Sequence, residues 1–288
     1  MHTPVLLKEV IKFLDPKPGE FVIDGTINGG GHAKEVYKKI SPGGTLIGID
    51  WDLEIIKETA EKLTSHESEV ILICDNYAHA IDTLIKKEVK ADGLFLDLGF
   101  STNQLENSGR GFSFLKDEPL LMTYSRESKP VMDIIKEKNE EELADIIFKL
   151  GGERRSRKIA KAIKSEKNIK TSKQLADIVK QVVSKGYERG RIHPATRTFQ
   201  SLRIYANDEL NNLENALKKV SRLVKKGGRI VILSFHSLED KLVKSYFKNY
   251  AQEKTLEILT KKPVEPTRDE IKINPRSRSA KLRAARII

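Results

Sequence analysis

Phe21-Val22-Ile23-Asp24-Gly25-Thr26-Ile27-Asn28-Gly29-Gly30-Gly31-His32 is the stretch that decides how this chain reads. Three apolar residues mark a short buried strand, and the acid and glycines after them mark a turn into a helix. Working outward, the same unit recurs. Thr45-Leu46-Ile47-Gly48-Ile49, Val70-Ile71-Leu72-Ile73 and Gly93-Leu94-Phe95-Leu96 are apolar runs ending beside Asp50, Asp75 and Asp97. Charged amphipathic stretches at roughly 32–40, 52–63 and 77–88 separate them. This βαβαβαβ alternation predicts a mostly parallel, doubly wound sheet with helices on both faces. Ligands of such sheets sit beyond the carboxyl ends of the strands, so four acids are expected at one rim.

The alternation stops near residue 100. From about 105 to 200 only helical periods are expected, at 139–150 behind the cap Asn139, at 154–164 and at 172–184, punctuated by Gly151-Gly152 and Gly186. It then resumes with a helix at 207–224, Lys225-Lys226-Gly227-Gly228 as its stop, the strand Arg229-Ile230-Val231-Ile232-Leu233, a helix at 238–250, and strands near 255–259 and 281–288. The economical arrangement is one α/β domain, 1–105 with 201–288, interrupted by an all-helical insertion at 106–200.

Charge follows the same division. Residues 1–100 hold 11 basic and 17 acidic side chains, 101–200 hold 21 and 14, and 201–288 hold 20 and 10, for a net charge of +11 overall. An acidic first third with basic later parts suggests a polyanion held by the later segments, although lysine-rich helices also form plain solvated faces. No apolar run approaches the length of a membrane span and no leader pattern opens the chain, so a cytoplasmic protein is expected. The single cysteine, Cys74, excludes an internal disulfide, and no cluster has metal-ligand spacing, so no metal is expected.

A glycine-rich loop after a first strand usually suggests a dinucleotide with its pyrophosphate on the helix N-terminus. Here the spacing is not G-x-G-x-x-G, and Asp24 stands immediately before the loop. A carboxylate there opposes a pyrophosphate and favours a cation, such as S-adenosyl-L-methionine with its ammonium and sulfonium. Asp50 lies where an acid can take both ribose hydroxyls. A nicotinamide-dependent oxidoreductase is disfavoured on the same grounds.

Longer blocks carry a resemblance over nearly the whole chain. They are His2-Thr3-Pro4-Val5-Leu6-Leu7, Asp24-Gly25-Thr26 with Gly30-Gly31-His32, Asp97-Leu98-Gly99, Gln104-Leu105 and Arg110-Gly111-Phe112-Ser113-Phe114. Further on come His193-Pro194-Ala195-Thr196-Arg197-Thr198-Phe199-Gln200, Ser234-Phe235-His236-Ser237-Leu238-Glu239-Asp240 and Asn274-Pro275-Arg276-Ser277-Arg278-Ser279. With these the chain resembles the ribosomal RNA small subunit methyltransferase H family. The resemblance implies a class I methyltransferase domain with an inserted helical domain. It also implies N4-methylation of a cytidine in the decoding region of small-subunit (16S) ribosomal RNA, with the RNA or the assembled small subunit as partner. Carried over by residue, it puts the cofactor on Gly30, Gly31, His32, Asp50, Tyr77, Asp97 and Gln104. Tyr77 stands where relatives often have Phe, and Asn28 replaces a frequent glycine. Relatives usually read Leu-Asp-Met-Arg-Met where this chain has Leu120-Leu121-Met122-Thr123-Tyr124, so an acid and an arginine are missing.

The exocyclic amine of cytosine is a poor nucleophile, so its methylation needs a group that accepts a hydrogen bond and takes a proton. Asp97 is the candidate, with cofactor positioning as its other reading. Cys74, at the end of an expected core strand, reads as a buried inert thiol, which disfavours C5-methylation through a thiolate. His236 and Arg197 are expected to touch RNA, with turn capping as the duller role for His236. Arg276, Arg278, Lys281, Arg283 and Arg286 are expected to add electrostatic contacts or to be solvated charges on an edge strand. Phe112 reads as core packing or as a ring for a flipped base. The rival to an enzyme is a non-catalytic RNA-binding assembly factor that keeps the fold, and the Leu121 and Thr123 departure is its only support.

Overall fold

The structure is a computed structural model of the 288-residue chain and describes residues 4–63, 67–125, 127–166, 168–183 and 193–288. His2, Thr3 and Gly186, singled out above, lie outside the described residues. The chain forms two compact units, Met1–Gly99 with Leu210–Ile288, and Phe100–Glu209.

The first unit opens with helix α1 (Leu7–Leu14) and then alternates: β1 (Phe21–Asp24), α2 (Gly31–Ile40), β2 (Thr45–Asp50), α3 (Leu53–Lys62), β3 (Glu69–Cys74), α4 (Tyr77–Lys86) and β4 (Ala91–Asp97). The second unit follows with α5 (Thr102–Glu106), α6 (Val131–Glu137), α7 (Glu140–Gly151), α8 (Ser156–Ser165), α9 (Ser172–Val183) and α10 (Thr196–Ala206). The chain then returns through α11 (Glu209–Leu217), α12 (Val220–Leu223), β5 (Val224–Ser234), α13 (Ser237–Gln252), β6 (Leu256–Ile258), α14 (Arg268–Ile273) and β7 (Lys281–Ile287).

The seven strands lie in the order β3-β2-β1-β4-β5-β7-β6. The first five are parallel, and β7 runs antiparallel to both β5 and β6. Alternation along each strand divides the core between the two faces. Ile23, Ile47, Leu94, Leu96, Ile230 and Ile232 enter one cluster with α4, α11, α12 and α13. Their neighbours Val22, Leu46, Phe95 and Val231 enter the other, with α1 and α2. Near-continuous apolar strands therefore have a simple cause, because both faces are covered.

Three expectations are corrected here. Lys225-Lys226-Gly227-Gly228 is part of β5 and does not stop a helix. Between the pairs Ala91↔Val224 and Gly93↔Arg229 only Asp92 stands on β4, against these four residues on β5. The excess bulges out, with Gly227 at φ +84°, and a Cβ on Gly228 would lie 2.7 Å from the Asp92 carbonyl oxygen. The expected helix at 207–224 is two helices, broken after Leu217. The strand at 281–287 is not an edge, since β6 covers its far side.

Among the described residues the second unit holds no strand, only an isolated bridge between Pro119 and Thr171. Helix α7 starts with a capping box: Asn139 Oδ1 accepts from the Glu142 amide at 2.9 Å, and Glu142 Oε2 accepts from the Asn139 amide at 3.0 Å. Its last residue, Gly151, lets α10 approach, because a Cβ there would lie 2.5 Å from the Arg197 carbonyl oxygen. Within this unit the Leu120–Tyr124 segment is held firmly. Arg110 donates to the Tyr124 carbonyl at 2.8 Å, and Asn207 donates to the Met122 carbonyl and accepts from the Tyr124 amide, both at 2.8 Å. The Tyr124 hydroxyl donates to Glu209, which also takes a two-bonded grip from Arg203 at 2.8 and 3.0 Å. Phe112 is buried and stacks between Phe100 and Tyr124, which is the packing role.

Candidate cofactor and active site

The first unit brings Asp24, Asp50 and Asp97 to neighbouring strand ends. The loop after β1 is tied to all of them. Asp24 Oδ1 accepts from the Thr26 amide at 3.1 Å, and the Gly25 amide donates to the Phe95 carbonyl at 2.9 Å. The Ile27 amide reaches Ile49 O at 2.8 Å, and the Asn28 amide reaches Asp50 Oδ2 at 3.1 Å. Asn28 Nδ2 donates to the Asp97 carbonyl at 3.1 Å, and Thr26 Oγ1 accepts from the Asp97 amide at 2.5 Å. Asn28, Gly29 and Gly30 follow one another at φ 46°, 80° and 84°. Asparagine is among the few side chains that tolerate this region, so the loop keeps its path without a glycine there. Residue chemistry alone did not show that Thr26 and Asn28 clamp the two strand ends together. The signal available was a short hydroxyl and an amide in a loop otherwise made of glycine.

The expected rim is not an open acidic lip. Asp24, Asp50 and Asp97 are all buried, with Asp24 only 1% exposed. Asp75 stands aside at the end of the outer strand β3, where it accepts from the Asn76 amide and meets His79 Nδ1 at 2.6 Å. Burial pushes the Asp24 carboxyl up to about 7, against the pull of its Thr26 hydrogen bond and helped by nearby Asp50. Burial likewise pushes Asp50 up to about 6. It raises Asp97 well above the carboxylate range, with Asp24 adding to the effect. Two of these groups are also incomplete: Asp24 Oδ2 and Asp97 Oδ1 are buried without a hydrogen-bond partner. Buried acceptors of this kind are costly unless a ligand completes them. A cation that also donates hydrogen bonds would complete both.

The remaining candidates are distributed as follows. Gly30 caps α2 and Gly31 is its first residue, with the open side of Gly31 facing Pro4. His32 is buried, stacked at a tilt on Phe95 and 3.5 Å from Asp97 Oδ2 through Nδ1. Tyr77 opens α4 behind the cap Asn76, beside Gly25, where a Cβ would lie 3.5 Å from its own. Asp50 Oδ2 accepts from the Asn28 amide and Oδ1 from the Asp52 amide, and the Trp51 amide also acts on this carboxyl. Gln104 belongs to the second unit. There its Oε1 accepts from the Ser101 amide at 2.9 Å in a capping box. Arg197 sits half-buried in the first turn of α10. His236 takes the capping role. Its side chain is 7% exposed, Nδ1 accepts from the Glu239 amide at 3.4 Å, and Nε2 lies 3.1 Å from Glu239 Oε1.

Two further expectations change. Cys74 is exposed, because β3 is the outermost strand. Its thiol is still pushed up, first by partial burial and then by Asp50, Asp52 and Asp75, so it remains a poor thiolate for a different reason than the expected one. Arg283 is buried and holds Asp240 at 2.6 and 3.3 Å, and Arg286 pairs with Glu257, so neither is a free basic contact.

A 3-2-1-4-5-7-6 sheet with a reversed seventh strand and acids closing β1, β2 and β4 defines a class I methyltransferase. A solved candidate rRNA methylase from Clostridium thermocellum shares the fold, at a TM-score of 0.50 and 14% identity, over 98% of this chain and 95% of that one. The MraW methylase family model matches residues 1–288, and the chain belongs to that family. Its relatives include ribosomal RNA small subunit methyltransferase H of Thermotoga neapolitana, 44% identical over 100% of this chain and 96% of that protein. The protein of the same name from Geotalea uraniireducens is 43% identical over 99% and 97%. The methyl donor of this methylase is S-adenosyl-L-methionine. The cluster fits it: two buried carboxyl oxygens without hydrogen-bond partners for a ligand that carries an ammonium and a sulfonium, and the Asp50 carboxyl at the end of β2 for its hydroxyls.

The raised carboxyls give a pH prediction. Their values lie above the unfolded carboxylate value near 4, so their contribution to stability is full below about pH 4. It is lost as pH rises through about 6 for Asp50 and about 7 for Asp24. A bound cation favours the ionised carboxylates, so binding of the donor should release protons and strengthen between about pH 5.5 and 7.5. Calorimetry in buffers of different ionisation enthalpy measures this directly. Proton uptake, or affinity flat with pH, would remove Asp24 and Asp50 from the cation site.

Proposed function

We propose that this chain methylates the exocyclic N4 of a cytidine in the decoding region of small-subunit ribosomal RNA. The relatives' names support ribosomal RNA as the substrate, and the family resemblance together with a buried, unpartnered acceptor supports the amine. The observation that carries the reading is Asp97 Oδ1, a buried acceptor without a partner at the end of β4. The donor supplies an electrophilic methyl group. What the protein must add is an acceptor that orients the amine hydrogens and takes the proton, in a place where water does not compete. Asp97 has the raised proton affinity for that task. Asp50 holds the ribose, and Gly30 with the loop sets how closely the donor approaches. Gln104 and Arg197 are proposed as additional contacts, to donor and RNA phosphate respectively. Nucleoside mass spectrometry of small-subunit RNA treated with the protein and labelled donor is the test. N4-methylcytidine supports the reading. Label at C5, on ribose, or absent despite RNA binding would replace it, the last with an assembly factor.

Asp50→Ala should weaken donor binding about tenfold or more, because it removes hydroxyl acceptors and also frees the Asn28 amide. Equal affinity in a calorimetric titration would remove Asp50 from the site.

The basic face of the second unit is narrower than its lysine count suggests. Lys164 Nζ donates to the carbonyls of Ile135 and Lys136 at 2.9 and 3.2 Å, capping the end of α6. Lys158, Lys161 and Lys170 are exposed and have no ion-pair partner among the described residues. Replacing these three by Gln should flatten the salt dependence of RNA binding by about 2 in log–log slope. An unchanged slope would return them to the solvated surface.

A further inference from the structure

Residues Pro4–Leu6 are fastened to the first unit at several points. Leu6 is buried with its backbone at φ 51°, a left-handed conformation that a leucine rarely adopts. Its amide, which caps no helix of its own, donates to Glu270 Oε1 of α14 at 2.7 Å, 264 residues away. Just before it, Pro4 lies across the first turn of α2. A Cβ on Gly31 would be 2.8 Å from Pro4 Cγ, so glycine is what lets the segment pass. Between these two anchors the Val5 carbonyl oxygen stands 2.9 Å from His32 Nε2.

A carbonyl only accepts, so His32 Nε2 must carry the hydrogen. In the neutral ring Nδ1 then carries no hydrogen, and Nδ1 faces Asp97 Oδ2 at 3.5 Å. An acceptor opposite a carboxyl oxygen calls for a proton between them, and Asp97 is a carboxyl inclined to keep one. The other oxygen, Oδ1, is the one left without a partner. Glu270, Leu6, Val5, His32 and Asp97 thus form one line of contacts across α14, the N-terminal segment, α2 and β4.

We propose that the segment Pro4–Leu6, pinned by Glu270, is a positioning strap that holds His32 in its Nε2–H form, so that Asp97 turns Oδ2 to the histidine and Oδ1 to the ligand. Glu270 is a positioning residue in this scheme, and it acts through backbone groups of the strap without touching donor or RNA. The strap rests on the reading of Asp97 as the active carboxyl. It goes beyond that reading by saying which oxygen acts, what holds the other and where the proton goes: as Oδ1 takes the amine proton, Oδ2 passes its own to His32 Nδ1.

The test uses full-length protein with ¹⁵N-labelled histidine, the His32 ring being assigned from the resonances lost in His32→Gln. Wild type should show a protonated Nε2 and an unprotonated Nδ1. Glu270→Ala should mix the tautomers and weaken S-adenosyl-L-methionine binding about tenfold, the equivalent of one hydrogen bond. Glu270→Gln should restore both, because an amide oxygen still accepts from the Leu6 amide. A merely structural role for Glu270 would lower stability without moving the tautomer. A wild-type ring protonated at Nδ1, tautomer and affinity unchanged in Glu270→Ala, or failure of Gln to rescue would each overturn the strap. Should wild type bind no donor while the ring is Nε2-protonated, the cofactor reading falls and the strap geometry stands.

Discussion

Asp97→Asn is expected to lower methyl transfer by about 10²–10⁴-fold, the range for a positioned proton acceptor, with little change in fold. The amide is nearly isosteric and its NH₂ can donate to the unprotonated His32 Nδ1, so the side chain keeps its place 3.5 Å from the ring. What it loses is the ability to take a proton. Donor affinity separates the two roles open to this residue. A kcat collapse with donor affinity within a few-fold of wild type supports proton acceptance. Parallel losses in both would make Asp97 a cofactor anchor, and near-normal turnover would remove it from the chemistry altogether.

Asp240→Ala is expected to cost about 3–5 kcal/mol, because it strands the buried Arg283 guanidinium without its carboxylate. For a chain of this size that corresponds to a fall in Tm of roughly 10 °C. Arg283 lies in β7, between β5 and β6, with its side chain 8% exposed, so water cannot replace the lost partner. Lys281, 3.6 Å from Asp240, is the more exposed companion, and its own removal should cost little. Thermal melts of the two variants measure the contrast. Equal, small shifts would mean that the Arg283 pair relaxes to solvent. The same experiment separates stability from RNA affinity, since this arginine read as a nucleic-acid contact on sequence alone.

The parallel sheet was legible because its inner strands β1, β2, β4 and β5 are buried on both faces, and short apolar runs beside acids are hard to build otherwise. Helices α2, α3 and α4 fell where the amphipathic period put them. The β5 bulge was not legible, because Lys225–Gly228 has the composition of a helix stop, and its strand geometry exists only through pairing with β4. Cys74 misled for a related reason. An apolar run shows that a strand is half-buried at least, and strand order alone decides that β3 lies at the margin.

Site chemistry divided in the same way. Asp24, Asp50 and Asp97 could be named from their places after strands, since position in a doubly wound sheet is a topological property. Their depth could not, because burial is set by loop residues Thr26 and Asn28 folding back over the strand ends. Arg283 looks like a nucleic-acid contact by residue type, yet Asp240, brought to it by the fold, holds it; His236 caps α13 through Nδ1, while its Nε2 is buried without a hydrogen-bond partner.

What the amino-acid order determined by itself was the alternation of elements, the family and the acids at the strand ends, since each depends on local pattern and spacing. What only the tertiary structure decided was which of those groups are free to act. Hydrogen-bond partners such as Glu270 for Leu6 or Asp240 for Arg283 are brought together by the fold across dozens to hundreds of residues. A buried polar atom's availability depends on whether such a partner arrives.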